Sequence, residues 1–140
     1  MIDTKTAPYA ALLLRVSLGV MFLAHSLYLK VIVFSVPGTV GFFESLGLPA
    51  IAAYLTLLAE IGGGIALILG FQTRLVALAV IPVLLGATWV HAGNGWVFSA
   101  AGGGWEYPLF LTIAALVQAL LGSGAYAVKG PAFLGQKVAA

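Results

Sequence analysis

Six ionisable side chains lie within or at the ends of long apolar stretches of this sequence, where they could do chemistry. They are Arg15, His25, Glu60, Arg74, His91 and Glu106. An ionised group at the centre of a membrane span costs at least ~2.5–3.5 kcal/mol on insertion scales, so each is a candidate functional residue. Glu60 is the most unusual, because it stands in the middle of an apolar run and is followed by glycines at positions 62–64.

Composition places these residues in a membrane protein. The chain has 140 residues, of which 62% are hydrophobic and 7% charged, and its mean hydropathy is +1.14. Soluble domains carry roughly 25% charged residues. The length accommodates about four spans of ~20 residues each. The sequence therefore predicts an all-α fold, an integral membrane four-helix bundle.

The charge balance and the absence of cysteine exclude several functions. The formal net charge is only +2 and no basic run occurs, so nucleic acid is not a predicted partner. Without cysteine the chain can form no disulfide, perform no thiol redox chemistry and supply no thiolate ligand to a metal.

Apolar stretches and their breakers predict the order of spans. A polar tail (1–7) precedes a membrane domain (8–125) with spans at about 8–29, 50–70, 74–91 and 106–124, and a tail (126–140) follows. Arg15 interrupts the first apolar stretch, which therefore is expected to be a span and not a cleaved signal peptide. Pro82 predicts a kink in the third span. The broken connection at 30–49 predicts a partly inserted or interfacial segment with a short helix near 39–46.

Basic residues predict the orientation, because cytoplasmic loops carry an excess of lysine and arginine. If the N-terminus is cytoplasmic, the outer side holds only Lys30. Both termini are therefore predicted to be cytoplasmic. On that assignment the inner side holds Lys5, Arg74, Lys129 and Lys137, with Arg15 near it.

Depth along the spans suggests a partner for Glu60. Glu60 lies near the membrane midplane, and Arg15 lies roughly 10 Å deep from the inner side, at ~1.5 Å per residue. The two differ by only about 5 Å in depth, which predicts a buried Arg15–Glu60 ion pair. Glu60 could also be a proton-linked site, and the two roles are compatible. Arg74 is expected to be a structural anchor for the turn at the inner headgroups.

His25, His91 and Glu106 come from three different spans but are predicted to reach the same, outer membrane face. Together they could hydrogen-bond a quinone carbonyl, relay protons or ligate a metal, and each could instead be solvated at the interface. No pair among them has the i, i+3 or i, i+4 spacing that fixes two ligands on one helix face. A metal site is therefore not predicted.

Small residues around Glu60 predict close helix packing. Ala59 with Gly63, and Gly62 with Ala66, are small-xxx-small pairs that let helix backbones approach. Packing inside the bundle would place Glu60 inward, whereas a homo-oligomer interface on the same face is the competing interpretation.

The ordered set of these residues resembles the DoxX family over about residues 8–125. The matching pieces are Leu14-Arg15-Val16 with Gly19, Phe22, His25 and Lys30; Phe42-Phe43 with Leu46-Gly47-Leu48-Pro49; Glu60 with Gly62-Gly63, Leu67, Leu69-Gly70 and Thr73-Arg74; and His91 with Gly103-Gly104-Trp105-Glu106-Tyr107-Pro108-Leu109. Ser26 departs from the pattern, since the family usually has glycine after the histidine.

The resemblance implies a multi-pass, four-helix protein of the cytoplasmic (inner) membrane of a prokaryote. The family takes its name from a subunit of a thiosulfate:quinone oxidoreductase, and some relatives are linked to membrane oxidoreductase complexes that handle thiol and oxidative stress. It therefore implies a quinone ligand or an oxidoreductase partner subunit. The sequence itself has no CxxC, haem-attachment or nucleotide-binding motif, so electrons must come from a partner or from the ligand.

Three hypotheses follow. In the first, the chain is a quinone- or partner-binding subunit of a membrane oxidoreductase system, in which His25 and His91 hydrogen-bond the ligand and Glu106 orients one of them. In the second, it is a structural or assembly subunit whose polar residues hold the bundle together. In the third, it is a small lipid or solute transporter acting as an oligomer. Whether the chain is itself an enzyme stays open.

Overall fold

The computed structural model describes residues 3–128, which form helices and loops and contain no strand. A π-helical segment, Ala24–Val33, continues the first helix without a break, and a short 3-10 helix, Ala92–Asn94, follows the fourth. The α-helices of this part of the chain are α1 (Ala7–Leu23), α2 (Val36–Ser45), α3 (Ala50–Leu69), α4 (Thr73–His91) and α5 (Glu106–Leu121). Lys129 and Lys137, which entered the orientation argument, lie outside the described residues.

The chain is a multi-pass helical membrane protein. Within residues 3–128, three helices are long and apolar enough to cross a bilayer: Ala7–Val33, Ala50–Leu69 and Thr73–Asn94. The apolar helix α5 is shorter, at 16 residues. Large apolar side chains point away from the protein, and Leu58 and Leu120 are 70% and 79% exposed. Such a surface is stable only when lipid covers it.

Local sequence signals set the helix ends. Pro8 lies in the first turn of α1, where its missing N–H costs no hydrogen bond. Gly70 ends α3 in the left-handed conformation, with φ 75°. The Ser35 hydroxyl accepts a hydrogen bond from the Gly38 N–H at 3.2 Å and so caps α2, which is the short helix expected in the broken connection.

The core forms where α1 packs on α3 and α4 packs on α5, the two most extensive helix contacts. Gly19 and Gly64 allow α1 and α3 to approach, since a Cβ on Gly19 would lie 2.6 Å from the Gly64 carbonyl oxygen. Gly63 faces Val80 of α4, whereas Gly62 faces open space. Packing on this face places Glu60 inward, and it is only 6% exposed. The buried apolar core comprises Leu18, Phe22, Leu67, Ala77, Val80, Leu84, Ala114 and Ala115.

Three parts of the chain meet at one end of the bundle, here called the Arg15 end. The Ala125 N–H donates to the Pro8 carbonyl at 2.9 Å, and the Val128 N–H donates to the Leu69 carbonyl at 3.0 Å. The start of α1, the α3–α4 turn and the segment after α5 therefore lie together. The opposite end, here called the loop end, carries the connection formed by residues 95–105.

Candidate ligand-binding site

Arg15 and Glu60 do not form the expected ion pair. The Arg15 guanidinium instead donates to four backbone carbonyls: Nη1 to Leu67 (2.9 Å) and Ile68, Nε to Ser123 (2.9 Å) and Nη2 to Ala125 (2.9 Å). The last carbonyls of a helix have no partner within it, and arginine offers five donors to satisfy them. Leu67 and Ile68 lie about 10 Å along α3 from Glu60, so the arginine side chain extends toward the helix end and not toward the acid.

Glu60 is paired with Lys30. The Lys30 Nζ lies 2.5 Å from each carboxylate oxygen, and the two side chains are 23% and 7% exposed respectively. The π-helical segment makes this possible, because it carries the helix past the expected end of the first span and brings Lys30 over α3. The Thr39 hydroxyl of α2 donates to the Lys30 carbonyl at 2.7 Å and holds that turn in place. Lys30 was expected in an outer connection, so its role as the partner of Glu60 was missed.

A cavity of about 790 Å³ lies between the helices toward the loop end. Its volume falls within the ~300–1,000 Å³ typical of small-molecule sites. Most of its wall is apolar or aromatic, from α2, α3, α4 and α5. The ionisable and phenolic side chains in its wall are His25, Lys30, Glu60, His91 and Tyr107. The structure thus brings together both predicted histidines and the predicted buried acid.

His25 has one ring nitrogen fixed by the backbone. Its Nδ1 lies 2.9 Å from the Met21 carbonyl oxygen, and since a carbonyl can only accept, Nδ1 carries a proton. In the neutral ring Nε2 is then an acceptor. The ring stacks on Tyr107, with centroids 5.8 Å apart and planes at 27°. This arrangement leaves Nε2 as the atom at which His25 can accept or release a proton.

Tyr107 supplies a buried hydroxyl that has no hydrogen-bond partner within the described chain. Burying an unsatisfied hydroxyl costs about 1–3 kcal/mol, so such a group in a cavity wall is unusual. Tyr107 was part of the Gly103–Leu109 pattern, and no role was predicted for it. Its position directly after Glu106, at the start of an apolar helix, was the available signal.

His91 closes α4 and is joined to the loop at residues 95–105 through Asn94. The Asn94 Nδ2 lies 3.5 Å from His91 Nδ1 and also donates to the carbonyls of Gly102 (3.0 Å) and Gly103 (2.9 Å). Gly103 packs beside the imidazole. The two amide hydrogens of Asn94 go to these carbonyls, so the asparagine, for which no role was predicted, holds the loop and lies beside the histidine.

Glu106 does not lie in the cavity wall with the histidines. Its Oε1 accepts a hydrogen bond from the Phe98 N–H at 2.7 Å, and its side chain lines a neighbouring hollow of about 380 Å³, which shares Phe98 and Tyr107 with the cavity wall. No hydrogen bond joins it to either histidine in residues 3–128. Glu106 was expected to orient a histidine, but in the structure it holds the loop. Trp96 and Trp105 contact each other edge to face across the same loop, 4.5 Å between centroids.

The remaining predicted residues have simpler surroundings. Arg74 lies in the first turn of α4 beside Gly122, at the end of α5, and its role as an anchor at the headgroups stays a prediction. Across the described residues, no three histidine, aspartate or glutamate side chains are grouped in a way that could hold a metal ion.

Comparison with known proteins identifies the family to which the chain belongs. The DoxX family model matches residues 10–93, which include most of α1, all of α2 to α4 and the residues Arg15, His25, Lys30, Glu60 and His91. The chain belongs to the DoxX family. Glu106 and Tyr107 of this DoxX chain lie outside the matched range. No solved structure was found to match the chain.

Two curated proteins are similar to this chain in sequence over part of its length. The DoxX chain is 36% identical over 83 residues to a protein named "Putative oxidoreductase CatD" from Bacillus subtilis strain 168, covering 59% of this chain and 60% of the relative. It is 32% identical over 93 residues to "Inner membrane protein YqjF" from Escherichia coli strain K12, covering 65% of this chain and 69% of the relative. The match thus spans only about 60% of the length of the first relative.

Proposed function

We propose that this DoxX protein binds a quinone in the 790 Å³ cavity, as a membrane subunit of an oxidoreductase system. The observation that carries the proposal is the unpartnered Tyr107 hydroxyl, buried beside His25 in a largely apolar wall. The name of the relative from Bacillus subtilis, a putative oxidoreductase, supports a redox context.

The side chains in the wall fit a quinone. A quinone ring is flat and apolar, and its two carbonyl oxygens accept hydrogen bonds. Tyr107 and Lys30 supply donors, and His91 adds an imidazole to the same wall. The bound quinone would supply the electron-carrying chemistry, which this cysteine-free chain lacks.

Each polar residue then has a distinct task. The Tyr107 hydroxyl, which is buried in this structure, turns toward the cavity to donate to a ligand carbonyl and thereby gains the partner it lacks. His25 exchanges a proton at Nε2, because Nδ1 is committed to the Met21 carbonyl. Lys30 neutralises the Glu60 carboxylate, so the pair brings donors and acceptors into the cavity without leaving an isolated charge in an apolar wall.

We further propose how the protein lies in the membrane. In this arrangement α5 is a fourth span, the Arg15 end faces the cytoplasm, both termini are cytoplasmic, and the cavity lies in the outer half of a cytoplasmic membrane. Lys5, Arg15 and Arg74 at the Arg15 end support this orientation through the positive-inside rule. The relative from Escherichia coli, named an inner membrane protein, supports the location.

Quinone titration of the purified protein tests the proposal. Tyr107→Phe removes only the hydroxyl and should weaken binding about tenfold, the value of one buried hydrogen bond. His25→Ala and His91→Ala should each weaken it as well. Tyr9→Phe is the matched control, because Tyr9 lies in the first turns of α1, is 55% exposed and does not line the cavity. Unchanged affinity in all three cavity variants would overturn the assignment.

A structural or assembly role is the second candidate, favoured by the four carbonyls that Arg15 holds together. In that case the polar residues contribute only to folding. The two candidates separate in the Tyr107→Phe variant, since a structural role predicts no change in quinone affinity, whereas the ligand-binding role predicts a loss with the fold intact.

A further inference from the structure

We infer that the ligand enters the cavity sideways from the bilayer, through a gap between α3 and α4, and that it is a lipid-soluble quinone whose apolar tail stays in that gap. This inference rests on the proposed function and specifies the ligand class. Three features of the described residues carry it: the separation of two helices, the cover at the loop end and the distribution of polarity along the cavity.

The helices α3 and α4 approach closely in the half of the bundle nearer the Arg15 end. There Gly63 approaches Val80 so closely that a Cβ on the glycine would lie 2.9 Å from the valine side chain. Toward the loop end, Leu55 of α3 and Trp89 of α4 both line the cavity, and they are 57% and 63% exposed. Side chains that line a cavity and are also exposed border an opening.

Gly86 lies on the α4 side of this opening. It lines the cavity and is exposed, and a Cβ built on it would meet no atom within 4 Å. Pro82, one turn earlier on the same helix face, also lines the cavity and is exposed. The α4 face at the gap is therefore uncovered, and its side chains are suited to lipid.

The loop at residues 95–105 covers part of the other approach, where Phe98 also lines the cavity and is 69% exposed. Gly103 and Gly104 form part of the cavity wall at the loop end. Hydrogen bonds from the Asn94 amide to the loop carbonyls, and from the Phe98 N–H to Glu106, hold the loop over that end. A ligand that enters at the loop end has to pass this held loop from the water side, whereas the gap between α3 and α4 faces the bilayer, where a lipid-soluble molecule is dissolved.

The side chains that border the gap are apolar or aromatic, and the hydrogen-bonding groups lie elsewhere in the wall; His91, two residues after Trp89, ends α4 at the loop end. His25, Tyr107 and the Lys30–Glu60 pair lie in the wall formed by α1, its π-helical segment, α3 and α5, whereas Leu55 and Trp89 border the gap. A molecule with a polar head and a long apolar tail matches this order. Its head reaches the hydrogen-bonding groups, and its tail remains in the hydrocarbon it came from.

The experiment compares two quinones with the same head group, one without a tail and one with a long isoprenoid tail, binding to the full protein in lipid nanodiscs. Gly86→Trp fills the gap. It should weaken the tailed quinone about tenfold or more and leave the tailless one within about twofold. Gly62→Trp is the matched control, because Gly62 is exposed on α3 with open space around it but does not line the cavity. It should change neither affinity.

A second measurement uses the unmodified sequence, so it does not depend on how a variant folds. A tailed quinone carrying a photoreactive diazirine on its tail should label the gap segments 52–56 and 82–90. Labelling confined to the loop at residues 95–105, or an equal loss of both quinones in Gly86→Trp, would overturn lateral entry. Efficient disulfide dimers of a Gly86→Cys variant in nanodiscs would also overturn it, since a second copy of the chain would then cover the gap.

The failure of this inference can be told from failure of the proposed function. If the unmodified protein binds neither quinone, the proposed function fails and lateral entry fails with it. If it binds both, and Tyr107→Phe weakens both, the site is supported whatever the entry route. The effect of Gly86→Trp then decides the route alone.

Discussion

The Lys30 ammonium lies 2.5 Å from both carboxylate oxygens of Glu60, across a helix–helix contact inside a largely apolar cavity wall. The pair joins the π-helical segment to the centre of α3. Extended π-helical segments are rare and often occur at functional sites. Here the π-helical turns place Lys30 over Glu60, so the opposite charges of the pair cancel within the cavity wall.

A double-mutant cycle should show strong coupling between these two residues. Removing one partner leaves the other charge unpaired in an apolar wall, at about 3–5 kcal/mol for a fully buried pair, and less here because Lys30 is 23% exposed. Lys30→Met and Glu60→Met should each lower the unfolding free energy in mixed micelles, and the double variant should recover at least about 1 kcal/mol of the summed loss. Arg15→Met with Glu60→Met is the control and should be additive within about 0.5 kcal/mol.

Arg15→Lys should destabilise the protein although the charge is kept. Lysine places its donors on one nitrogen and cannot reach carbonyls of α3 and of the segment after α5 together. The free energy of unfolding is expected to fall by at least about 2 kcal/mol, since hydrogen bonds from charged groups contribute about 1.5–3 kcal/mol each. Arg74→Lys, at a partly exposed site, should change stability by less than about 0.5 kcal/mol. Equal effects of the two changes would contradict the assigned role of Arg15.

Gly19→Ala should be strongly destabilising and Gly62→Ala should not. A Cβ on Gly19 would lie 2.6 Å from the Gly64 carbonyl oxygen, so α1 and α3 would have to separate. Overpacking of this kind costs about 1–3 kcal/mol. Gly62 faces open space, and alanine there should be neutral or stabilising by up to about 1 kcal/mol through helix propensity. The thermal unfolding temperatures of both variants are measured in the same detergent. A Gly19→Ala variant as stable as the unmodified protein would contradict the close crossing of α1 and α3.

Tyr107→Phe should separate stability from ligand binding. The Tyr107 hydroxyl is buried without a partner in the described structure, so removing it relieves a desolvation cost and should leave the unfolding free energy equal or higher by up to about 1 kcal/mol. Quinone affinity should nevertheless fall, as proposed above. A variant that loses stability would show that the hydroxyl has a structural partner.

Single-cysteine labelling should establish the orientation, because the sequence contains no cysteine of its own. Thr4→Cys marks the Arg15 end and Ser99→Cys marks the loop end. In whole cells a membrane-impermeant maleimide should modify Ser99→Cys only, and Thr4→Cys should react after the cells are opened. The reverse pattern would invert the proposed topology and place the cavity in the cytoplasmic half of the bilayer.

Several features could be predicted from the sequence because they depend on composition and on position along a helix. The share of charged residues required a membrane protein, and the ordered motifs predicted the DoxX family, which the family match confirms. Small residues around Glu60 predicted that it faces inward, and it is buried. Helix length predicted that His25 and His91 reach the same end of the bundle, and both line one cavity.

Tertiary structure alone decided which polar groups meet. In a soluble helix the alternation of polar and apolar residues shows which face is buried, but a span that is apolar all round carries little such information. The depth of each residue in the membrane therefore suggested Arg15 as the partner of Glu60. Depth does not show how either helix is rotated about its axis, nor that π-helical turns bring Lys30 to the acid instead. The sequence determined that polar groups must be matched inside lipid, and the packing of the helices determined the matches.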